Sequence, residues 1–263
     1  MVTLQGQGIH GGKDASVTFV PDPGPLRIEV GGVASPLGDF EVEGALGSTS
    51  LRRAGATIHT VEHLFAALAG LGIRSDVRIV VTGDELPLLG GGALELARAL
   101  AGLQITPRPP ELVVVRGGVV RVDDSRYEFL PAQGVEVEVE VDLPSHCATR
   151  ASWRGDARDF STRIAPARTF ALEGDIGELA RRGLARHVDP ASVVVVGSDA
   201  LHAAGGSTPD EPARHKLLDL MGDAYAHGGP PRGALRAYRP GHARNHAAFR
   251  LAALEGILRR EPI

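Results

Sequence analysis

Apolar and polar residues alternate in short runs at the start of the chain, which is typical of β-strands with one buried face. Prolines and a glycine at residues 21–25 separate the first two runs and indicate a turn. From residue 61 the apolar positions recur at helical spacing instead, with Thr60 as the expected N-cap. The first half therefore predicts strands over 17–20, 26–30 and 77–81 and helices over 61–69 and 93–103.

A proline-rich break at residues 106–110 precedes a second series of strands and then helices. The strict alternation over residues 135–141 predicts a strand with one solvated face. Each half carries strands first and helices later, which indicates a duplicated α+β architecture with domains over 1–108 and 111–263. The second half predicts strands over 112–115, 119–122, 127–130, 135–141 and 192–196 and helices over 176–182, 214–226 and 243–259.

The composition limits which classes of partner and which cellular compartment are expected. A chain of 263 residues with a net charge of −4 and a pI near 6.2 has no overall positive field, which argues against nucleic acid as its main partner. Cys147 is the single cysteine, so an internal disulfide and a cysteine-rich zinc site are excluded, and a reducing cytoplasm is expected. No export signal or membrane-spanning run is recognisable, whereas a peripheral membrane contact stays open.

Ionisable residues gather near the start of two predicted helices. His215, Asp219 and Asp223 follow one another at a spacing of four, so their side chains share one helix face. Two ligands on one helix require a third elsewhere, and His63 is the natural candidate, with Glu62 beside it as a general base. This set predicts a zinc site for amide or ester hydrolysis, although a helical His/Asp pair alone is more often a surface pair.

A further histidine, His242, is expected at the turn that enters the last helix. It is placed to act as general acid for an amine leaving group, with Asp223 raising its pKa and fixing its orientation. By itself, a loop histidine is more often a cap or solvent-exposed. For His227 we expect a position at a helix C-terminus, and for His246 a position beside the catalytic loop without a motif role.

Five motifs resemble the UDP-3-O-acyl-N-acetylglucosamine deacetylase family, the zinc enzymes of the committed step in lipid A synthesis. They occur in the family's order and span nearly the whole chain, which makes the set far more specific than any single member. The motifs are Gly8-Ile9-His10-Gly11-Gly12-Lys13, the segment from Thr60 to Ile73, Ala167-Arg168-Thr169-Phe170, the segment from His215 to Asp223, and the segment from Ala237 to Asn245.

The resemblance implies two similar α/β-sandwich domains whose helices face each other, with the active site at the domain interface. It implies hydrolysis of the N-acetyl group of UDP-3-O-(3-hydroxyacyl)-N-acetylglucosamine, with release of acetate, by a cytoplasmic enzyme that we expect to be a monomer. The implied roles are zinc binding for His63, His215 and Asp219, general base for Glu62, general acid for His242 supported by Asp223, oxyanion stabilisation for Thr169, the mouth of the acyl site for Phe170, and sugar-nucleotide binding for Lys216.

Three segments depart from the family's usual sequences. Residues 87–92 lack an aspartate, and Arg74-Ser75 stand where the family usually has Asp-Asn, so we expect looser local packing at both places. Residues 173–190, which in the family build the acyl passage, are charged here and lack the usual Gly-Gly-Ser. Two alternatives follow: a deacetylase for another N-acetylated amino sugar, or a silent paralogue that binds a sugar nucleotide. The retention of Glu62 and His242 argues against the second.

Overall fold

The computed structural model describes residues 1–45, 47–182 and 188–261. Helices and sheets alternate along both halves, and the predicted α+β class is confirmed. The first half contains strands β1 (Val2–Gln7), β2 (Asp14–Pro25), β3 (Arg27–Val30), β4 (Val33–Pro36), β5 (Glu41–Ala45), β6 (Ser48–Arg53), β7 (Ala56–Ile58) and β8 (Ser75–Thr82), and helices α1 (Glu62–Leu71) and α2 (Leu94–Ala101).

The second half repeats strands and helices after the proline-rich break. Its strands are β9 (Leu112–Val114), β10 (Gly118–Val122), β11 (Ser125–Leu130), β12 (Val135–Glu140), β13 (Arg150–Trp153), β14 (Thr169–Leu172), β15 (Val193–Val196), β16 (Leu201–His202), β17 (Gly233–Tyr238) and β18 (Leu258–Arg260). Its helices are α3 (Ala157–Asp159), α4 (Ile176–Arg181), α5 (Glu211–Tyr225) and α6 (His242–Leu254).

Each half has one five-stranded sheet, and the two sheets share a topology. The first has the order β1-β2-β8-β3-β4 and the second the order β10-β11-β17-β12-β13. In each sheet the central strand pairs antiparallel with one neighbour and parallel with the other: β8 with β2 and β3, and β17 with β11 and β12. The duplication that the sequence indicated is therefore present in strand order. The domain bounds at residues 108 and 111 stay a prediction.

The alternating patterns bury one face of each sheet. Val17 and Phe19 on β2 are fully buried, as are Val139 on β12 and Phe129 on β11. These side chains belong to one continuous apolar cluster that extends through the helices of both halves. None of the helices in the described ranges is long and apolar enough to cross a membrane.

Helices α1 and α5, one from each half of the chain, pack against each other. They are in close contact at Gly222, where a Cβ atom would lie 2.0 Å from the carbonyl oxygen of Glu62. Any side chain at position 222 would therefore push the helices apart. The absence of a side chain at this position sets the distance between the residues that α1 and α5 carry.

Several helix boundaries differ from the prediction by a few residues, and two of these differences have a clear physical cause. Thr60 is not the N-cap of α1: it has a φ of 60°, its hydroxyl donates to Glu85, and Val61 takes the cap position without a side-chain hydrogen bond. The last helix ends at Leu254 instead of residue 259, because the chain turns at Gly256, which has a φ of 67°. Residues 258–260 then pair with β9 as an additional strand.

The departures at Arg74 and at residues 87–92 lie in close packing, so the expectation of looser packing there is wrong. The Arg74 guanidinium donates to the carbonyl oxygens of Gly228 and Gly229 and lies 5.1 Å from the centre of the Tyr225 ring. Position 91 has no room for a side chain, since a Cβ atom there would lie 1.8 Å from the carbonyl oxygen of Ser192. Both segments therefore fasten the first half to the second.

Candidate metal and catalytic centre

Helices α1 and α5 bring three potential metal ligands together. His63 is the second residue of α1, while His215 and Asp219 lie on consecutive turns of α5. One ligand atom from each residue lies within 4.8 Å of the other two, and all three residues are buried. The Asp219 Oδ1 atom is 3.3 Å from His215 Nε2 and 3.9 Å from His63 Nε2. The predicted grouping of these three side chains is thus present.

The donor set fits a zinc ion. Within residues 1–45, 47–182 and 188–261, no group hydrogen-bonds to the buried Asp219 Oδ1, and a buried unpaired carboxylate oxygen is costly unless a cation meets it. His215 Nδ1 donates to the carbonyl oxygen of Ala167 at 3.0 Å, which leaves Nε2 free to bind a metal. Burial, together with His215, lowers the pKa of His63 to about 3, so it is the neutral imidazole that zinc prefers.

Glu62 lies next to His63 and is almost fully buried. Its Oε2 atom accepts a hydrogen bond of 2.9 Å from the backbone N–H of Thr49 on β6. Burial raises the pKa of Glu62 to about 7, and the neighbouring Asp219 adds to the effect against the opposing influence of His242. A carboxylate with this pKa takes up and releases a proton near neutral pH, as a general base must.

His242 begins α6 and pairs with Asp223. Its Nδ1 atom lies 2.9 Å from Asp223 Oδ2, and its Nε2 atom lies 3.8 Å from Asp219 Oδ2, on the side of the metal ligands. Burial opposes the protonated form, but the Asp223 carboxylate outweighs it and raises the pKa of His242 to about 9. Near neutral pH, His242 is therefore an imidazolium that can donate a proton.

Phe170 and Lys216 lie beside the cluster. The Phe170 ring packs edge-on against the His215 ring, with 6.3 Å between ring centres. The ammonium of Lys216 lies 5.5 Å from the centre of the Phe170 ring and pairs with Asp219 Oδ2 at 2.7 Å. Thr169, the first residue of β14, lines an adjoining cavity together with Phe170.

This cavity has a volume of about 550 Å³ and a largely apolar wall. Its size lies within the range of about 300–1,000 Å³ that is usual for small-molecule sites. In the described part of residues 173–190, no charged side chain lines the wall, and Arg181 and Arg182 pair with Glu178 on the exposed side of α4. Residues 183–187 of this segment lie outside the described part of the chain. The apolar lining comprises Ile9, Phe170, Ala171, Ile176, Leu179, Ala180, Val188, Pro190, Val193, Val195, Ala203 and Ala204.

Sequence reasoning missed several buried polar residues behind His242. Thr49 donates to Asp223 Oδ1 at 2.6 Å, and Asn245 donates to Asp223 Oδ2 at 2.7 Å. His246, for which the sequence predicted no motif role, is fully buried and hydrogen-bonds Thr49 and His227. The spacing of four between His242 and His246 on α6 was the available signal. Nothing in the sequence around Thr49 indicated its position.

The chain is similar to one family along almost its whole length. The family model for UDP-3-O-acyl N-acetylglycosamine deacetylase matches residues 1–253. A protein of Myxococcus xanthus named UDP-3-O-acyl-N-acetylglucosamine deacetylase is 35% identical over 263 residues, covering 95% of this chain and 83% of the relative. Proteins with the same name from Synechocystis and Brucella melitensis are each 34% identical and are covered over 92% and 91% of their own lengths.

Proposed function

Because the chain belongs to the UDP-3-O-acyl N-acetylglycosamine deacetylase family, we propose that it removes the N-acetyl group from UDP-3-O-(3-hydroxyacyl)-N-acetylglucosamine and releases acetate. This reaction is the committed step of lipid A biosynthesis. The observation that carries the proposal is the buried group of His63, His215 and Asp219, with the buried Glu62 next to His63 in sequence and His242 Nε2 3.8 Å from Asp219 Oδ2. The site thus has metal ligands, a base and an acid within one enclosure.

Three residues of this chain would hold the zinc. His63 and His215 offer neutral imidazole nitrogens, and Asp219 offers the carboxylate oxygen that no described residue satisfies. Three protein ligands leave a coordination position open, which is the usual arrangement of catalytic zinc. When bound, zinc supplies Lewis acidity toward the carbonyl oxygen of the acetyl group and toward the attacking water.

Glu62 and Thr169 serve the attack on the acetyl carbonyl. Glu62, with its pKa raised to about 7, accepts a proton from the attacking water. The Thr169 hydroxyl is proposed to donate a hydrogen bond to the carbonyl oxygen as negative charge develops on it. Thr169 is half-buried where β14 begins, and donors placed where charge appears in the transition state lower its energy.

His242 serves the departure of the amine. An amine is a poor leaving group until its nitrogen is protonated, and the imidazolium of His242 has that proton to give. Asp223 is fully buried and holds Nδ1 of His242, so that Nε2 is the atom that donates. After the proton transfer, Asp223 still orients the neutral ring.

The apolar cavity supports an acylated substrate. Phe170 lies where the cavity meets the metal ligands, so an acyl chain that passes this ring would place its sugar near the zinc site. Lys216, which pairs with Asp219 at 2.7 Å, is proposed to exchange this contact for one with the sugar nucleotide. We further propose that the protein works in the cytoplasm as a monomer, with a peripheral membrane contact left open because an acylated substrate has affinity for lipid.

The test is an assay of purified protein with UDP-3-O-(3-hydroxyacyl)-N-acetylglucosamine of several acyl lengths. Acetate release should be lost on treatment with a chelator and restored by zinc, with an optimum at one acyl length. Equal turnover of substrates with and without an acyl chain would favour another amino sugar. A zinc-loaded protein that is inert toward every length would favour the silent paralogue.

The pH profile of kcat/KM is expected to be bell-shaped. Activity rises as Glu62 loses its proton and falls as His242 loses its proton, and the pKa values of these groups are about 7 and about 9. The charge of a bound zinc lowers both values, so the acidic limb should lie at or below pH 7 and the basic limb at or below pH 9. His242→Gln should remove the basic limb and keep the acidic one. A basic limb that survives this substitution would exclude His242 as the acid.

A further inference from the structure

A chain of hydrogen bonds runs from Asp223 away from the metal ligands. The Thr49 hydroxyl lies 2.6 Å from Asp223 Oδ1, and His246 Nε2 lies 2.9 Å from the same hydroxyl. On its far side, His246 Nδ1 lies 2.9 Å from Nε2 of His227. Thr49 and His246 are fully buried, and His227 is half-buried at the end of α5. These hydrogen bonds therefore connect Asp223, which pairs with His242, to the half-buried His227.

The chemistry of each group fixes the direction of these hydrogen bonds. An ionised carboxylate only accepts, so the single hydroxyl proton of Thr49 goes to Asp223. The Thr49 oxygen must then accept from His246, which requires the proton of a neutral His246 to be on Nε2. The lone pair on His246 Nδ1 accepts from the Nε2–H of His227 in turn. Every hydrogen bond in the chain thus points toward Asp223.

Both distal histidines are neutral, as this arrangement requires. Burial lowers the pKa of His246 against the opposing pull of Asp223, and burial together with His246 lowers the pKa of His227 to about 3. The His227 ring also stacks on Phe249, with 5.3 Å between ring centres and 15° between the planes. This stacking limits rotation of the His227 ring and keeps its Nε2 directed at His246.

We propose that Thr49, His246 and His227 are positioning residues, which hold the Asp223 carboxylate in the orientation that directs Nε2 of His242 into the active site. The part of this inference that concerns turnover rests on the proposed function. Thr49 has a second contact that supports the assignment, because its backbone N–H donates to Glu62. The same residue of β6 therefore touches the proposed base and the partner of the proposed acid.

The size of the effect follows from the kind of bond. Asp223 lies in a fully buried position and accepts from Thr49, Asn245 and His242. Hydrogen bonds offset the cost of removing the Asp223 carboxylate from water. When one donor is lost, part of this cost is no longer offset, and the carboxylate turns toward its remaining donors. His242 follows, because Asp223 is its nearest acceptor. Turnover should suffer while substrate affinity is retained.

The first test is nitrogen-15 NMR of the histidine side chains in the zinc-loaded protein. We expect His246 and His227 to be neutral, each with its proton on Nε2, and His242 to retain a proton on Nδ1. Replacing His227 by leucine should shift the His246 Nδ1 resonance. A proton on Nδ1 of His246 would overturn the proposal. This measurement needs no substrate. It therefore tests the hydrogen-bond arrangement of Thr49, His246 and His227 even if the proposed reaction is not observed.

The second test compares two substitutions of Thr49. Thr49→Val keeps the shape but removes the hydroxyl, and kcat should fall about 10- to 100-fold with little change in KM, as expected for a lost hydrogen bond to a charged group. Thr49→Ser restores the hydroxyl and should recover most of this loss. His242 should also change its NMR signals in Thr49→Val and not in Thr49→Ser.

Ser50 provides the matched control, because it is the next residue on β6. Its hydroxyl hydrogen-bonds His59 at 2.8 Å and takes no part in the hydrogen bonds that lead to Asp223. Ser50→Ala removes a comparable hydroxyl–imidazole contact, and it should lower the melting temperature without lowering kcat. If Thr49→Val and Ser50→Ala behave alike, with unchanged His242 signals in both, Thr49 has only a structural role and the proposal fails.

Discussion

Replacing Glu62 by glutamine is expected to lower kcat by about 10²- to 10⁴-fold, the usual contribution of a general base, while zinc stays bound. Glutamine has nearly the same shape and can still accept the N–H of Thr49, but it cannot take a proton from water. His63, His215 and Asp219 are unchanged, so the metal site is intact. Steady-state kinetics and a zinc measurement on the same preparation check both halves of this expectation.

The same substitution should stabilise the metal-free protein. Glu62 has a pKa raised from 4.5 to about 7, so its ionised form is disfavoured by folding, and this penalty grows as the pH rises through that range. Above pH 7 the shift corresponds to about 3 kcal/mol. Thermal unfolding of chelated Glu62→Gln at pH 8 should therefore give a higher melting temperature than the parent protein, with a smaller difference at pH 5.

These two measurements separate a catalytic role of Glu62 from a structural one. A structural residue would lose stability and activity together when it is replaced. Glu62→Gln is instead expected to lose activity and gain stability, which is the trade-off typical of groups that folding holds in an unfavourable environment for the sake of function. Parent-like turnover by Glu62→Gln would remove Glu62 from the mechanism.

Replacing Asp219 by alanine should abolish tight zinc binding and, with it, nearly all turnover. Asp219 is one of the three proposed ligands and the only one of them that carries a negative charge. Its loss leaves two imidazoles, and the nearby ammonium of Lys216 is then without its partner, which repels a dication further. Zinc per mole of protein after dialysis and residual acetate release at saturating substrate are the quantities to measure.

Asp210 is a suitable control for this variant. It lies immediately before the same helix, α5, and pairs with Arg214 at the surface. Asp210→Ala removes an equal charge from the same region but should keep both zinc and activity. Full zinc occupancy in Asp219→Ala would show that the metal is held elsewhere, and turnover restored by excess zinc would show that Asp219 tunes affinity alone.

The metal ligands were accessible to sequence reasoning because the information is local. The spacing of His215 and Asp219 places both on one helix face at any position where the helix forms, and the apolar periodicity predicts the helix. His63 next to Glu62 at the start of α1 follows in the same way. The packing of these two helices against each other depends on contacts between distant residues. It was expected from the resemblance to a family and not from the local sequence.

The rest of the site depends on contacts between distant parts of the chain. Thr49 and Asp223 are separated by 174 residues in sequence, and a strand of small polar residues gives no sign of which helix it will meet. At Thr60 a local signal was present but misleading. Threonine is a favoured N-cap residue, yet here its hydroxyl donates to Glu85 and its backbone is left-handed. In both cases tertiary contacts override the local signal.

The contact at Gly222 has a consequence for how this enzyme can diversify. Because the carbonyl oxygen of Glu62 leaves no room for a side chain there, the spacing of α1 and α5 is not adjustable by small mutational steps. Changes that adapt the protein to a new substrate are therefore expected at residues outside this contact, such as the α4 residues that line the cavity. Descendants of this protein should keep their reaction and vary in the length or nature of the chain they accept.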